Sequence, residues 1–177
     1  MHRIDRSGHG KESTVNSELE ARLLRLLDED DIRQVLYRRA RGTDHGDIDL
    51  VLSCYHDGAT EDHEGFNGPI REYLSGASPV FKDGIEIEVN VHLLGNTEIM
   101  VDGDQAETTT TFVCTLTVAE HGTRRDYLNS GRYVDTFERR DGDWKIRHRR
   151  CEYEWSRGDY CTDRWWSRND DATATSS

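Results

Sequence analysis

No stretch of this sequence stays apolar for anything near the length of a membrane span, and the first residues (MHRIDRSGHGKESTVNS) hold no apolar signal-peptide core. These two absences lead to the expectation of a cytoplasmic chain with no membrane partner. Basic charge is scarce as well: 23 Lys and Arg stand against 35 Asp and Glu, a formal net charge of −12. A surface of that sign repels phosphate, which argues against nucleic acid as a partner. The one basic cluster, Arg38-Arg39-Ala40-Arg41, falls at the end of an expected helix, where cations suit the negative end of the dipole. Cysteine is sparse, and Cys54, Cys114, Cys151 and Cys161 are spaced unlike any zinc ligand set. Reduced, packed thiols are expected. Apolar residues make up only 34% and charged residues 33%, an imbalance concentrated at the two ends.

What remains is one domain of 177 residues, long enough for a single core. Residues 1–17 are polar and aperiodic and are expected to be loosely ordered. The domain itself is expected over 18–157, with a polar C-terminal extension over 158–177 that is mobile from about Ser167. Leu19, Leu23, Leu26 and Leu27 form a helical stripe, and the acidic run Asp28 to Asp31 is expected to interrupt it and start a second helix. In that helix Ile32, Val35, Leu36 and Ala40 recur at helical spacing, yet Arg39 lies in the same stripe. A charge there must snorkel, pair, or face a polar cavity. The segment GTDHGD (42–47) follows, with Gly42 and Gly46 supplying bends. Asp47 can cap a third helix carrying Ile48, Val51, Leu52 and Tyr55, which leaves Asp44 as a carboxylate without a local task.

A short strand is expected over Ala59–Phe66, and Pro69 then opens a helix with Ile70, Tyr73 and Leu74. Beyond residue 84 the period changes to two. Ile85, Ile87, Val89, Val91 and Leu93 alternate with Glu86, Glu88, Asn90, His92 and Leu94. Turns are expected at Asp102-Gly103, His121-Gly122 and Asp141-Gly142, separating long strands that continue to about Trp155. Helices first and a meander of strands afterwards make an α+β fold with helices on one face of a curved sheet.

Four stretches in this order, YRRARGTDHGD (37–47), SCYHDGATEDHEGFNGP (53–69), VHLLGNTEIMVDGDQAE (91–107) and GRYVDTFERRDGDWKIRHR (131–149), resemble the SnoaL-like branch of the NTF2-like superfamily. The resemblance covers roughly Glu18 to Trp155. It implies an NTF2-like cone, with N-terminal helices packed on a strongly curved, mostly antiparallel sheet. The branch includes scytalone dehydratase, hexachlorocyclohexane dehydrochlorinase and bile acid 7α-dehydratase, lyases without a cofactor that use an Asp–His pair. By motif match that pair is Asp44 and His92. A neutral imidazole can remove a proton near neutral pH, and a carboxylate on its other nitrogen fixes the tautomer and stabilises the imidazolium.

The implied function is a cofactor-independent elimination on a small aromatic or polycyclic substrate: loss of water, or loss of formaldehyde from a lignin-type diaryl-propane diol. Isomerisation or cyclisation would use the same parts. Tyr37, seven residues before Asp44, is a candidate to handle charge on oxygen, against the alternative of a packed tyrosine. Arg39 is a candidate substrate-binding cation where many relatives carry an aromatic residue. His63 is a candidate second acid, base or hydroxyl ligand, against a rim histidine among acidic neighbours. Asn96, Arg132 and Tyr133 are candidates for the pocket wall. Taken alone, His92 would read as an exposed strand histidine, and Asp44 as a loop residue. Tryptophans 144 and 155 suit core or subunit interface. A homo-oligomer is expected, with a trimer favoured and a dimer possible.

Two other classes compete. His45-Gly46-Asp47 fits the H-x-D half of an iron site, but this three-position pattern arises easily by chance, and neither a metal nor any other cofactor is expected. A non-catalytic assembly or binding subunit, like the small subunit of ring-hydroxylating dioxygenases, has the same fold.

Overall fold

A computed structural model describes residues 8–63, 65–77, 85–120 and 123–160. Cys161, the tail from Ser167 and the expected His121-Gly122 turn lie outside the described residues. The chain begins with one long helix, α1 (Gly8–Asp44), followed by α2 (Ile48–Ser53), β1 (Tyr55–His63), β2 (Phe66–Pro69) and the single turn α3 (Ile70–Glu72). A π-helical turn, Tyr73–Ala77, precedes four long strands: β3 (Ile85–Asp102), β4 (Gln105–Glu120), β5 (Thr123–Arg140) and β6 (Asp143–Tyr160). They form one curved, unclosed sheet in the order β2-β1-β6-β5-β4-β3. Every neighbouring pair is antiparallel except β1 and β6.

The acidic run at 28–31 does not break the helix. It contains neither Gly nor Pro, and Glu29 pairs with Arg25 and Arg33 at helical spacing, so the run is carried within α1. The helix also reaches back to Gly8, into the segment expected to be loosely ordered. The leucine stripe before it is no part of the core: Leu19, Leu23, Leu26 and Leu27 are 48–62% exposed. Burial begins at Ile32 and continues through Val35 and Leu36, which meet Val51, Tyr55, Ile70, Phe137, Trp144 and Ile146 beneath the sheet.

The end of α1 is set by backbone geometry. Gly46 takes a left-handed φ of +66°. The amides of Gly46 and Asp47 return to the carbonyls of Thr43 and Gly42, at 3.2 and 2.8 Å, which is the bonding pattern of a Schellman cap. Gly42 is not a bend. It lies inside the helix, where a Cβ would stand 2.9 Å from the Val51 side chain, so its role is to let α2 pack closely. Asp47 accepts from the Leu50 amide at 2.9 Å and caps α2, as its position suggested.

The β3–β4 hairpin turns on Gly103 and Asp104, one residue later than expected, because Asp102 pairs with Gln105. Gly103 supplies the positive φ there. In β5–β6 both turn residues, Asp141 and Gly142, have positive φ, as a two-residue hairpin matching the strand twist requires.

Candidate active site

Asp44 and His92 are 48 positions apart and meet where the end of α1 crosses β3. The His92 backbone amide donates to both carboxylate oxygens, at 3.1 and 3.2 Å. Its Nδ1–H donates to Oδ1 at 2.6 Å. The ionised carboxylate can only accept, so Nδ1 carries the hydrogen and Nε2 keeps its lone pair. The imidazole is 9% exposed and lines a small, partly open cavity with Arg39, His63, Tyr73, Asn90 and Tyr153.

β3 runs against its own hydrophobic pattern. Val89, Val91 and Leu93 face outward and are exposed, whereas Asn90, His92 and Leu94 face inward. The interior of the cone is therefore where the polar residues of this strand lie. Burial pulls the His92 pKa below its ordinary value, and the positive charges of Arg39 and Arg149 add to this against the raising effect of the Asp44 bond. The neutral form is the resting form at neutral pH.

Behind the cavity lies a buried charge network. Arg39 is 3% exposed. Its Nη2 donates to Glu61 Oε1 at 3.0 Å and its Nε to the Tyr55 hydroxyl at 3.2 Å, while that hydroxyl donates to Glu61 Oε2 at 2.8 Å. Burial works against the Glu61 charge, but Arg39 and the bond from His63 outweigh it and hold the carboxyl down to about 2. On facing positions of β5 and β6, Arg149 grips Asp135 through two bonds of 2.7 Å. The Tyr133 ring has both guanidinium groups near it, at 4.2 Å (Arg149) and 5.6 Å (Arg39), and stacks on Phe112.

Tyr133 is buried behind the His92 ring, 6.4 Å between centroids. His63 lies in the cavity wall; its Nδ1 is 3.3 Å from Glu61 Oε1 and its Nε2 2.9 Å from the Tyr153 hydroxyl. Tyr37 is 51% exposed and does not line the cavity. It shares a side of α1 with Asp44, but two turns, about 10 Å along the axis, separate them, and that side is open to solvent at its level. Asn96 is exposed beside the β3 irregularity at Leu94/Thr97. Arg132 faces outward and pairs with Glu154 at 2.7 Å. Trp144 is core and Trp155 is 46% exposed. His45 is exposed and Asp47 caps α2. Among the described residues no group of three His, Cys, Asp or Glu is placed to hold a metal.

Tyr55, Asp135, Arg149 and Tyr153 were not singled out from the sequence as site residues, and Glu61 entered only as one of the acidic neighbours of His63, which it does contact. Asp135 carried a readable signal, since it sits between Tyr133 and Phe137 in a buried alternation, an anomaly of the same kind as Arg39. Tyr153 carried none. A bulge shifts the β5–β6 register between Ser130 and Gly131 and changes which side of β6 each residue faces.

Long helix, small helices and a six-stranded curved sheet around a polar cavity define the NTF2-like class. The SnoaL-like domain model matches residues 24–150, and the chain belongs to that family. Among solved structures it is similar to a hexachlorocyclohexane dehydrochlorinase, LinA type 2, with a TM-score of 0.66 and 19% identity over 79% of this chain and 94% of that one. A protein assigned provisionally as a scytalone dehydratase, from Novosphingobium aromaticivorans, aligns with a TM-score of 0.63 and 16% identity, over 75% and 87% of the two chains. An NTF2-like protein with a cystatin-like fold from the same organism aligns at 0.56 and 25% identity, over 78% and 89%. No curated protein matches the sequence.

Proposed function

We propose that the protein is a cofactor-independent lyase that eliminates water from a small aromatic or polycyclic β-hydroxy carbonyl compound. The observation that carries this reading is the 2.6 Å contact between Asp44 Oδ1 and His92 Nδ1 on the wall of the cavity. His92 Nε2 takes the proton from the carbon next to the carbonyl. Asp44 holds the working tautomer and stabilises the imidazolium. Arg39, buried yet lining the cavity, is the cation for the developing enolate oxygen, and its pairing with Glu61 and Tyr55 keeps it rigid. Tyr37 has no part in this, being outside the cavity. The dehydrochlorinase and dehydratase among the similar structures support elimination over isomerisation or cyclisation, and loss of formaldehyde would use the same base.

A scaffold or assembly subunit has no use for a buried base, so the cavity favours the catalytic reading over a binding one. The cavity holds about 50 Å³, room for a few waters and far less than the several hundred Å³ of a typical ligand site. A two-ring substrate therefore enters only when a wall yields. Among the described residues, Tyr73 and Leu74 form the part of that wall made by a π-helical turn rather than a paired strand or α1. The outward apolar row on β3 (Val89, Val91 and Leu93) supports the expected homo-oligomer. The experiment is turnover of a β-hydroxytetralone to a naphthol by the purified chain without added cofactor. Activity that is lost in His92→Ala supports the reading; a wild-type chain that does not accelerate the reaction, or a His92→Ala variant as active as it, refutes it.

A further inference from the structure

An elimination of water needs two proton transfers, and the dyad supplies one. The carbon proton goes to His92, but the departing hydroxide must also acquire a proton, or the carbon–oxygen bond breaks against a poor leaving group. We infer that Tyr153 is the acid, and that Glu61, His63 and Tyr153 form a relay that charges it from the wall beside the dyad. The inference rests on the elimination reading and adds to it a second catalytic residue.

The geometry sets the direction of each bond in the relay. Glu61 is fully buried and bonded to Arg39 and Tyr55, so it faces His63 as an acceptor. His63 Nδ1, at 3.3 Å, therefore carries the hydrogen. With Nδ1 committed, the charge on His63 decides its other bond, the 2.9 Å contact between Nε2 and the Tyr153 hydroxyl. When the imidazole is neutral, Tyr153 donates to it. When it is imidazolium, Nε2–H donates to the phenol oxygen, and the phenol proton is released toward the cavity that Tyr153 lines.

The charges around the cavity favour one mobile proton. Among the described residues around the cavity, Asp44, Glu61 and Asp135 are three carboxylates against two guanidinium groups, Arg39 and Arg149, all of them buried or nearly so. One imidazolium shared between His63 and His92 neutralises the set, and an uncompensated buried charge is costly. Of the two, His63 is the one whose Nδ1 faces the buried Glu61 carboxylate and whose Nε2 reaches the Tyr153 hydroxyl. The Cys151 thiol also hydrogen-bonds the Tyr153 hydroxyl, but it is no competing base, because burial pushes its pKa up to about 12.

The backbone is shaped to deliver the phenol. Tyr153 sits beside the β5–β6 bulge, opposite Gly131. A Cβ on Gly131 would lie 2.0 Å from the Glu152 carbonyl oxygen, so glycine is what allows the strands to close in the bulged register. The Tyr153 ring is then braced edge-on against Phe112 and His63.

The step balances as follows. His92 Nε2 removes the carbon proton, the C–H pair becomes the new double bond, and the C–O pair leaves with oxygen. That oxygen takes the Tyr153 phenol proton to become water. The phenolate recovers a proton from His63 Nε2–H, so the imidazolium has passed from His63 to His92. Exchange with solvent after product release restores the starting state.

Two probes that yield the same naphthol separate this role from that of the dyad. A β-hydroxytetralone needs a protonated leaving group, whereas its β-chloro analogue releases chloride without one. Tyr153→Phe keeps the ring and its contacts. It is expected to depress kcat on the hydroxy probe about 100-fold more than on the chloro probe. His92→Ala should depress both alike. If Tyr153→Phe changes the two rates by the same factor, or neither, the acid assignment is overturned and the dyad stands. If the wild-type chain accelerates neither reaction, the elimination reading falls and this inference with it. A measurement without substrate adds a second test: 15N NMR should find a hydrogen on His63 Nδ1 in both the wild type and Tyr153→Phe, whatever the charge of the ring. A neutral His63 protonated on Nε2 would overturn the relay.

Discussion

Replacing Asp44 by Asn tests the dyad at its most sensitive point, because it changes the tautomer while sparing the shape. The Asp44 carboxylate makes three contacts with His92, two to the backbone amide at 3.1 and 3.2 Å and one to Nδ1 at 2.6 Å. An Asn carbonyl can still take the backbone amide. Its NH₂ then points at Nδ1 and requires an acceptor there, which moves the imidazole hydrogen to Nε2, the nitrogen facing the cavity. The base is lost, though the ring stays in place. A comparable tautomer change in a serine protease triad costs about 10⁴ in kcat, and about 10³–10⁴ is expected here. Stability should change little, since the backbone contact survives. The assay is kcat/KM for naphthol formation from a β-hydroxytetralone, with thermal unfolding run in parallel. A loss below about tenfold in a well-folded Asn variant would refute the claim that Asp44 governs the base and would return it to the status of a capping-loop carboxylate.

The pH dependence follows from the lowered His92 pKa. Since the neutral imidazole is the active form of the base, and burial, Arg39 and Arg149 disfavour its cation, kcat/KM should rise with pH through an inflection below the ordinary histidine value of about 6.5. A limb still rising above pH 7 would contradict the assignment. Stability is the check on the buried network. Arg149→Met leaves the fully buried Asp135 carboxylate without its two 2.7 Å partners and should cost about 3–5 kcal/mol in urea unfolding at neutral pH. A cost under about 1 kcal/mol would show that Asp135 is rescued by other groups.

Much of the architecture was written locally. The Gly46 turn, the Asp47 cap, the Asp141-Gly142 hairpin and the period-two alternation of β3 all depend on neighbours a few residues away, so the sequence displays them directly. Local reading failed at two places. The acidic run at 28–31 looked like a break, yet i,i+4 pairing to Arg25 and Arg33 carries it within one helix. Gly42 looked like a bend, yet the packing of Val51 against it gives its reason.

The division is clearest at the site. The residue types alone announced an unusual interior: an arginine in an apolar helical stripe, and a carboxylate with no local duty. Motif order pointed to Asp44 with His92. Which face of β3 turns inward was decided by the curvature of the sheet, which encloses its polar side and exposes Val89, Val91 and Leu93. The counterion of Arg39 was decided by the parallel pairing of β1 with β6 under α1, which brings Glu61 to it across 22 positions. The placing of Tyr153 on His63 was decided by a bulge that shifts the register by one residue. A sequence records which charges must be buried. Their partners are chosen only when the strands are in register, because a buried ion pair repays its desolvation only where the groups meet in good hydrogen-bonding geometry.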